Sequence, residues 1–382
     1  MVQRGNQGDR GGSDIRRQLF DRVKPAAAWM GAVVITAFLA GCQPSTLGQA
    51  TASPVVRRAQ AEGRVVVYAN TDMGGPVVAG FQRRYPQVRV TYRELTSSQI
   101  QSAVLAEAAS SAPVADLVWS SSMDIQVKLI NDGYAQTYKS PEARRLPRWA
   151  VWRNQGFGVT AEPVGFAYNS RLLPPDQVPR SHAELLASLR DDPERWQGRI
   201  ALYDPEQSGV GFMYLSADLQ KYPEAWTLME AIAHSRPGLY VPGGTILSKV
   251  AKGEHLIAFN MNRSYADSWA ARNDRGVVYQ TPTDYHFTVS RVAFVTRAAP
   301  HPNAARLFLD YLMSPEGQAK LRESRLTPVI DAADGASPDG ATPIRVGPAL
   351  LANLDQARRD RVLREWRAML AGEAADGASP PR

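Results

Sequence analysis

Arg64-Val65-Val66-Val67-Tyr68-Ala69-Asn70 is the stretch that decides the fold. A short β-branched run of this kind is a buried strand. It breaks at Ala69-Asn70-Thr71-Asp72, and Gly74-Gly75-Pro76 opens a helix with proline early, where its missing N–H is no loss. Val77, Val78 and Phe81 then share one helical face. The unit recurs. Val88-Arg89-Val90-Thr91-Tyr92 is a strand, and Ile100, Val104, Leu105 and Ala108 mark a helix. Ala115-Asp116-Leu117-Val118-Trp119 is a strand, Ser120-Ser121-Ser122 a loop, and Ile125, Leu129 and Ile130 mark a helix that Gly133 stops. Strand, loop and helix in repetition predict an α/β fold with a largely parallel sheet covered on both faces.

The pattern continues with Val164-Gly165-Phe166-Ala167-Tyr168-Asn169, a strand read as leaving the first lobe. Ser181-His182-Ala183-Glu184 is a capping box. Arg199–Tyr203 and His255–Asn260 are strands, and residues 223–234, 245–252 and 263–271 are helical. Val289–Val295 is read as the return to the first lobe. Asn303–Met313 is an amphipathic helix, Ser314-Pro315-Glu316 caps another, and Pro348–Leu370 reads as one more. The expected division is a first lobe over 61–163, a second over 164–288, a return over 289–330, a linker over 331–347, a C-terminal helix over 348–371 and a disordered tail over 372–382.

Cys42 is the only cysteine, so no disulfide framework exists. It closes Leu39-Ala40-Gly41-Cys42, directly after the apolar run Ala26–Ala40, which Arg16, Arg17, Arg22 and Lys24 precede. A basic segment, a short apolar core and small residues at a cut site are the grammar of a secretory signal over 1–41. The run is too short to span a bilayer. Leu-Ala-Gly-Cys resembles a bacterial lipobox, which implies lipidation of Cys42 and a flexible tether over 42–60. Removing the signal lowers the basic count from 44 to 38 and the acidic count from 37 to 34. An excess of about +4 is too mild to argue for nucleic acid. Roughly 340 remaining residues call for two lobes.

From Arg64 to about Pro328 the chain resembles the substrate-binding proteins of bacterial ABC importers, in the branch of ferric-iron, phosphosugar, phosphoglycerate and aminoethylphosphonate binders. Val65–Asn70 with Pro76-Val77-Val78 and Phe81 carry the resemblance, with Ala115–Ser121 and Val164–Asn169. So do Asp204-Pro205, Ser208-Gly209-Val210-Gly211 and Ser314-Pro315-Glu316-Gly317-Gln318. The resemblance implies a periplasmic-binding-protein-like fold of type II: two α/β lobes, a hinge and an interlobe ligand cleft. It implies a monomer in the periplasm, held to the membrane only by lipid, that delivers a small anionic solute to an ABC permease. A periplasmic sensor that signals to a kinase is an alternative within the same frame.

Ligands in open α/β sheets sit beyond the carboxyl ends of strands. That rule selects Asn70 and Thr71; Ser120, Ser121 and Ser122; Ser208, Gly209, Val210 and Gly211; and Asn262, Arg263 and Ser264. Asp284 and Tyr285, near the second crossing, join them. Small hydroxyl residues and glycines let backbone N–H groups approach an anion at a helix start, and Arg263 is expected to add charge. Each has a plain reading too: a serine run is a solvated cap, Ser208-Gly209 a turn, Arg263 a surface residue. Iron-binding relatives use adjacent tyrosines after the late strand; here that loop reads Asn262-Arg263-Ser264-Tyr265, so ferric iron is the alternative ligand. No metal or cofactor is expected, and no enzyme: no nucleophile elbow or His-Glu-x-x-His spacing occurs.

Overall fold

The computed structural model describes residues 53–273, 276–332 and 341–372. The expected signal, Cys42, most of the tether, part of the linker and most of the expected tail lie outside the described residues. Residues 54–60, expected as tether, are instead helical in α1 (Pro54–Glu62). Ser53 Oγ accepts from Val56 N, Pro54 takes the first position, and Gly63 at φ +71° ends the helix by returning its N–H to Ala59 O. The Glu62 carboxylate then accepts from Asn303 and Ala304 N–H groups, at 2.7 Å for Ala304.

The first lobe begins with β1 (Arg64–Ala69), α2 (Gly75–Arg84), β2 (Arg89–Glu94), α3 (Ser97–Ala108), β3 (Leu117–Ser120) and α4 (Met123–Asn131). Two short strands follow, β4 (Val151–Trp152) and β5 (Gly156–Gly158). The chain then crosses into β6 (Glu162–Asn169), α5 (His182–Asp191), α6 (Pro193–Trp196), β7 (Ile200–Tyr203), α7 (Gly209–Lys221) and α8 (Ala225–His234). The second lobe continues through β8 (Gly238–Tyr240), α9 (Gly243–Ala251), β9 (Ile257–Asn262), α10 (Arg263–Asn273), β10 (Val277–Gln280) and β11 (His286–Val289). The return supplies β12 (Val292–Val295), α11 (Pro302–Met313) and α12 (Pro315–Glu323), and last come β13 (Ala341–Pro343) and α13 (Gln356–Ala371).

Two sheets result, so the fold is the expected two-lobed α/β architecture. The first has the order β2-β1-β3-β12-β5-β4. Its β1 pairs in parallel with β2 and β3, while β12 is antiparallel to β3 and β5. The second has the order β13-β11-β6-β9-β7-β8, with β10 on β6. The sheets are therefore mixed rather than largely parallel, because each crossing strand enters its sheet against the local direction. Val65, Val67, Leu117 and Trp119 bury against Phe308 and Leu312 of α11. Phe166, Ile200, Leu202 and Phe259 bury against α5, α7 and α8. The expected helix over 348–370 is broken: Pro348–Leu354 is a 3-10 turn, and Asp355 caps α13 by accepting from Arg358 N. Among the described residues no helix is long and apolar enough to cross a membrane.

Candidate functional site

The carboxyl end of β1 meets the starts of α3 and α4, which follow β2 and β3. Asn70 follows β1, and its amide nitrogen donates to Ser97 Oγ at 3.0 Å and Ser121 Oγ at 2.8 Å. Its Oδ1 accepts from Ser121 N at 3.0 Å. Ser122 Oγ donates to Ser97 Oγ at 2.7 Å, and Ser120 Oγ accepts from Ser122 N at 3.3 Å. Asn70 and the serine triplet chosen from sequence therefore form one cluster. Ser97 belongs to it and was not selected, since it looks like an ordinary first residue of α3 behind the Thr96 cap. Thr71 lies beside the cluster with its side chain spent on Met73 N. The starts of α3 and α4 bring their positive dipole ends to this edge, with the Thr96 capping box closing α3 and Met123 N donating to Ser121 O at α4.

Arg291 was also not selected, and its buried guanidinium reaches this cluster. It sits between β11 and β12, on the second crossing, and is 6% exposed. Its Nη1 donates to Asn70 Oδ1 at 3.4 Å. Its Nε lies 3.0 Å from Glu162 Oε1, on the first crossing, where Glu162 is 1% exposed. Arg291 N donates to Thr160 Oγ1 at 2.8 Å, Thr160 Oγ1 donates to Glu162 Oε1 at 2.7 Å, and Val159 N donates to Arg291 O at 2.9 Å. The two crossings are thus laced together around one ion pair. Glu162 Oε2 and Arg291 Nε have no hydrogen-bond partner of good geometry among the described residues. Four tyrosines from both lobes feel the Arg291 charge. Burial pushes the Tyr92, Tyr203, Tyr214 and Tyr265 hydroxyls above their ordinary value, and Arg291 pulls each part of the way back.

On the second lobe, Ser208 caps α7 by accepting from Gly211 N at 3.1 Å. Gly209 has open space around it, whereas a Cβ on Gly211 would meet Asp204 O at 3.0 Å. Asn262 Oδ1 accepts from Tyr265 N at 3.1 Å and so caps the start of α10. Ser264 is buried and its hydroxyl meets Thr327 Oγ1 of the first lobe at 3.3 Å.

Three selected residues are engaged by other partners. The Arg263 side chain is 52% exposed, ion-paired with Asp267 at 3.3 Å and stacked over the Tyr279 ring. One helical turn separates Arg263 from Asp267, so the pairing is local and turns the guanidinium outward. Asp284 accepts from His182 N at 2.8 Å and Ala183 N at 3.2 Å, capping α5, and pairs with His182 Nδ1. That pairing, opposed by burial, holds its carboxyl below the ordinary value. Tyr285 stacks on His182 and Tyr222 and donates to the buried Asp218. The polar atoms of both residues serve the internal packing of the second lobe. A surface depression of about 350 Å³, lined by Leu189, Gln197, Glu230 and His234 among others, contains none of the selected residues.

The family model of the bacterial extracellular solute-binding protein matches residues 77–343. The substrate-binding protein of an ABC transporter from Agrobacterium tumefaciens is 32% identical, with a TM-score of 0.71 over 80% of this chain and 94% of that one. Iron-bound HitA from Pseudomonas aeruginosa is 20% identical, with a TM-score of 0.61 over 80% of this chain and 99% of that one. AfuA from Actinobacillus pleuropneumoniae, with fructose-6-phosphate bound, is 19% identical, with a TM-score of 0.60 over 81% and 99%. No curated protein matches the chain.

Proposed function

The chain belongs to the bacterial extracellular solute-binding proteins, the family of ABC-importer binding components, and from that premise we propose that it captures a small anionic organic solute between its lobes. A phosphorylated or phosphonate compound is the class that fits best. The observation that carries this reading is the meeting of the α3 and α4 starts and a serine cluster with the buried Arg291. Backbone N–H groups and hydroxyls at helix starts suit a tetrahedral oxyanion, and a guanidinium adds a planar donor fork. Ferric iron is the weaker reading, because Arg291 places a fixed positive charge among the tyrosines that a hard cation would need. Ligand contact with both lobes stabilises the closed form by differential affinity, and that form docks on the permease.

The test is a thermal-shift screen of phosphoglycerates, sugar phosphates, phosphonates, dicarboxylates and ferric citrate, followed by calorimetry. Arg291→Lys keeps a charge beside Glu162 but loses the fork, and is expected to weaken the hit by about 2–3 kcal/mol. Arg263→Ala is expected to leave affinity within about twofold. The reverse order would return the anion to Arg263. We also propose that Cys42 carries a lipid anchor in the periplasm. Cys42→Ala should then move the protein from the membrane fraction to the soluble one, and unchanged partitioning would remove the anchor.

A further inference from the structure

The last described segment, residues 341–372, lies almost wholly beyond the family match, which ends at 343, and it binds both lobes. β13 pairs in parallel with β11, the strand that leads into the second crossing, with Thr288 opposite Pro343. Ile344 N donates to Thr288 O at 2.9 Å, and Val346 N donates to Trp149 O of the first lobe at 2.8 Å. Val346 and Leu350 are buried in one cluster with Val127 and Ile130 of α4 and Val292 and Phe294 of β12, which Met213 and Tyr214 of α7 also join. Twelve residues further on, the chain is held by the second lobe. Val362, Leu363, Trp366 and Met369 of α13 bury among Leu185, Leu189, Leu228 and Met229.

The second attachment grips a specific loop. The Arg359 Nη2 donates to Pro205 O at 3.2 Å and Glu206 O at 2.8 Å, and its guanidinium lies 4.4 Å over the Phe212 ring. Arg367 pairs with both Glu206 carboxylate oxygens, at 2.8 and 3.0 Å. Pro205 and Glu206 lead directly into Ser208, the cap of α7. The connection between the two attachments has little slack: Pro348–Leu354 is already wound as a 3-10 turn, and only Asp355 separates it from α13.

We propose that Ala341–Ala371 is a strap across the hinge, which limits how far the lobes separate, and that Arg359 is a positioning residue for the loop before α7. Separation of the lobes must therefore either pull Val346 and Leu350 from their cluster or lift α13 from the second lobe. Both expose apolar side chains that are buried in this structure. The functional meaning of the strap rests on the solute-binding reading. The strap itself does not, so its test needs no ligand.

Cys42 is the only cysteine, so a full chain carrying Cys42→Ser accepts two engineered labels cleanly. Nitroxides at Ser98→Cys, at the start of α3, and Val241→Cys, just before α9, report the interlobe distance by pulsed electron resonance. The parent is expected to give one short, narrow distribution. Arg359→Ala with Arg367→Ala is expected to add a second, longer-distance population while circular dichroism stays native. Arg359→Lys with Glu206→Gln changes less and should add a smaller fraction of the same population; it decides the matter if the alanine pair does not fold. A distribution unchanged from the parent in the folded variants overturns the strap. Loss of anion binding in the screen, with the longer population still appearing, would overturn the solute reading and leave the strap standing.

Discussion

At the scale of single residues, the proposed site draws on groups that the linear order does not advertise. Arg291 and Glu162 are 129 positions apart, and only the antiparallel meeting of the two crossings makes them a pair. Nothing about Ser290-Arg291-Val292 in isolation distinguishes that arginine from the other basic residues, which is why the more conspicuous Arg263 drew the anion site. The serine triplet was legible because a strand end before a helix is a local signal. Ser97 was not, because its neighbours come from two other strand ends. Asp310 offers a test of how burial sets charge here. Tyr138 and Ser140 hydroxyls donate to it at 2.6 and 2.5 Å, yet burial outweighs them and pushes its carboxyl up to about 6. A carboxyl raised in the folded state keeps its proton to higher pH than the unfolded chain does, so stability falls as pH rises from about 4 to about 6. Relative to Asp310→Asn, the parent is expected to lose about 1–2 kcal/mol across that interval. Urea unfolding of both proteins at several pH values reads the difference directly; a pH-independent gap would show that Asp310 is not displaced upward.

At the scale of elements, capping residues and apolar faces located most helices, and the failures have physical causes. α1 buries only Ala59 fully, so its apolar face is too thin to stand out from an Ala/Arg/Gln segment. The mixed strand directions were hidden because periodicity reports burial and not orientation. Ser314-Pro315-Glu316-Gly317-Gln318 was legible as a helix start, but its glycine carries more than the sequence implies. Ser314 Oγ accepts from Gly317 N at 3.1 Å, and a Cβ on Gly317 would lie 1.8 Å from Tyr311 O. Behind it the Gln318 amide donates to Val159 O at 3.0 Å and Leu312 O at 2.7 Å, and its Oε1 accepts from Val329 N at 2.9 Å. The turn between α11 and α12 cannot widen without breaking that buried set. Gly317→Ala is therefore expected to cost about 3 kcal/mol or more. Ser314→Ala, which removes only the cap, should cost about 1 kcal/mol. Denaturant titrations that found the two equal would mean the turn relaxes freely and the glycine is incidental.

At the scale of the molecule, the lobes touch at points whose chemistry suits reversible closure. Ser264 and Thr327 share a hydroxyl contact, and Tyr265 of α10 packs on the core of the first lobe. Across the same junction, Arg272 Nη1 lies 2.6 Å from Asp72 Oδ2, with both side chains about half exposed. The two residues are 200 positions apart, on α10 and on the turn after β1, so the pair exists only when the lobes are together. A half-exposed ion pair is worth at most about 1 kcal/mol. That is small beside the fold and large enough to bias an equilibrium between two arrangements of similar energy. Asp72→Asn is accordingly expected to leave unfolding stability almost unchanged and to weaken affinity for the screened solute by up to about fivefold, mainly through faster release. The loss should shrink at high salt, where the parent pair is screened. Exchanging the two residues, Asp72→Arg with Arg272→Asp, should restore most of the affinity if the contact acts as an ion pair. Stopped-flow release rates for the parent, the single variant and the exchanged pair, at low and high salt, measure this. A single variant that releases solute at the parent rate in low salt would show that this contact plays no part in holding the lobes closed.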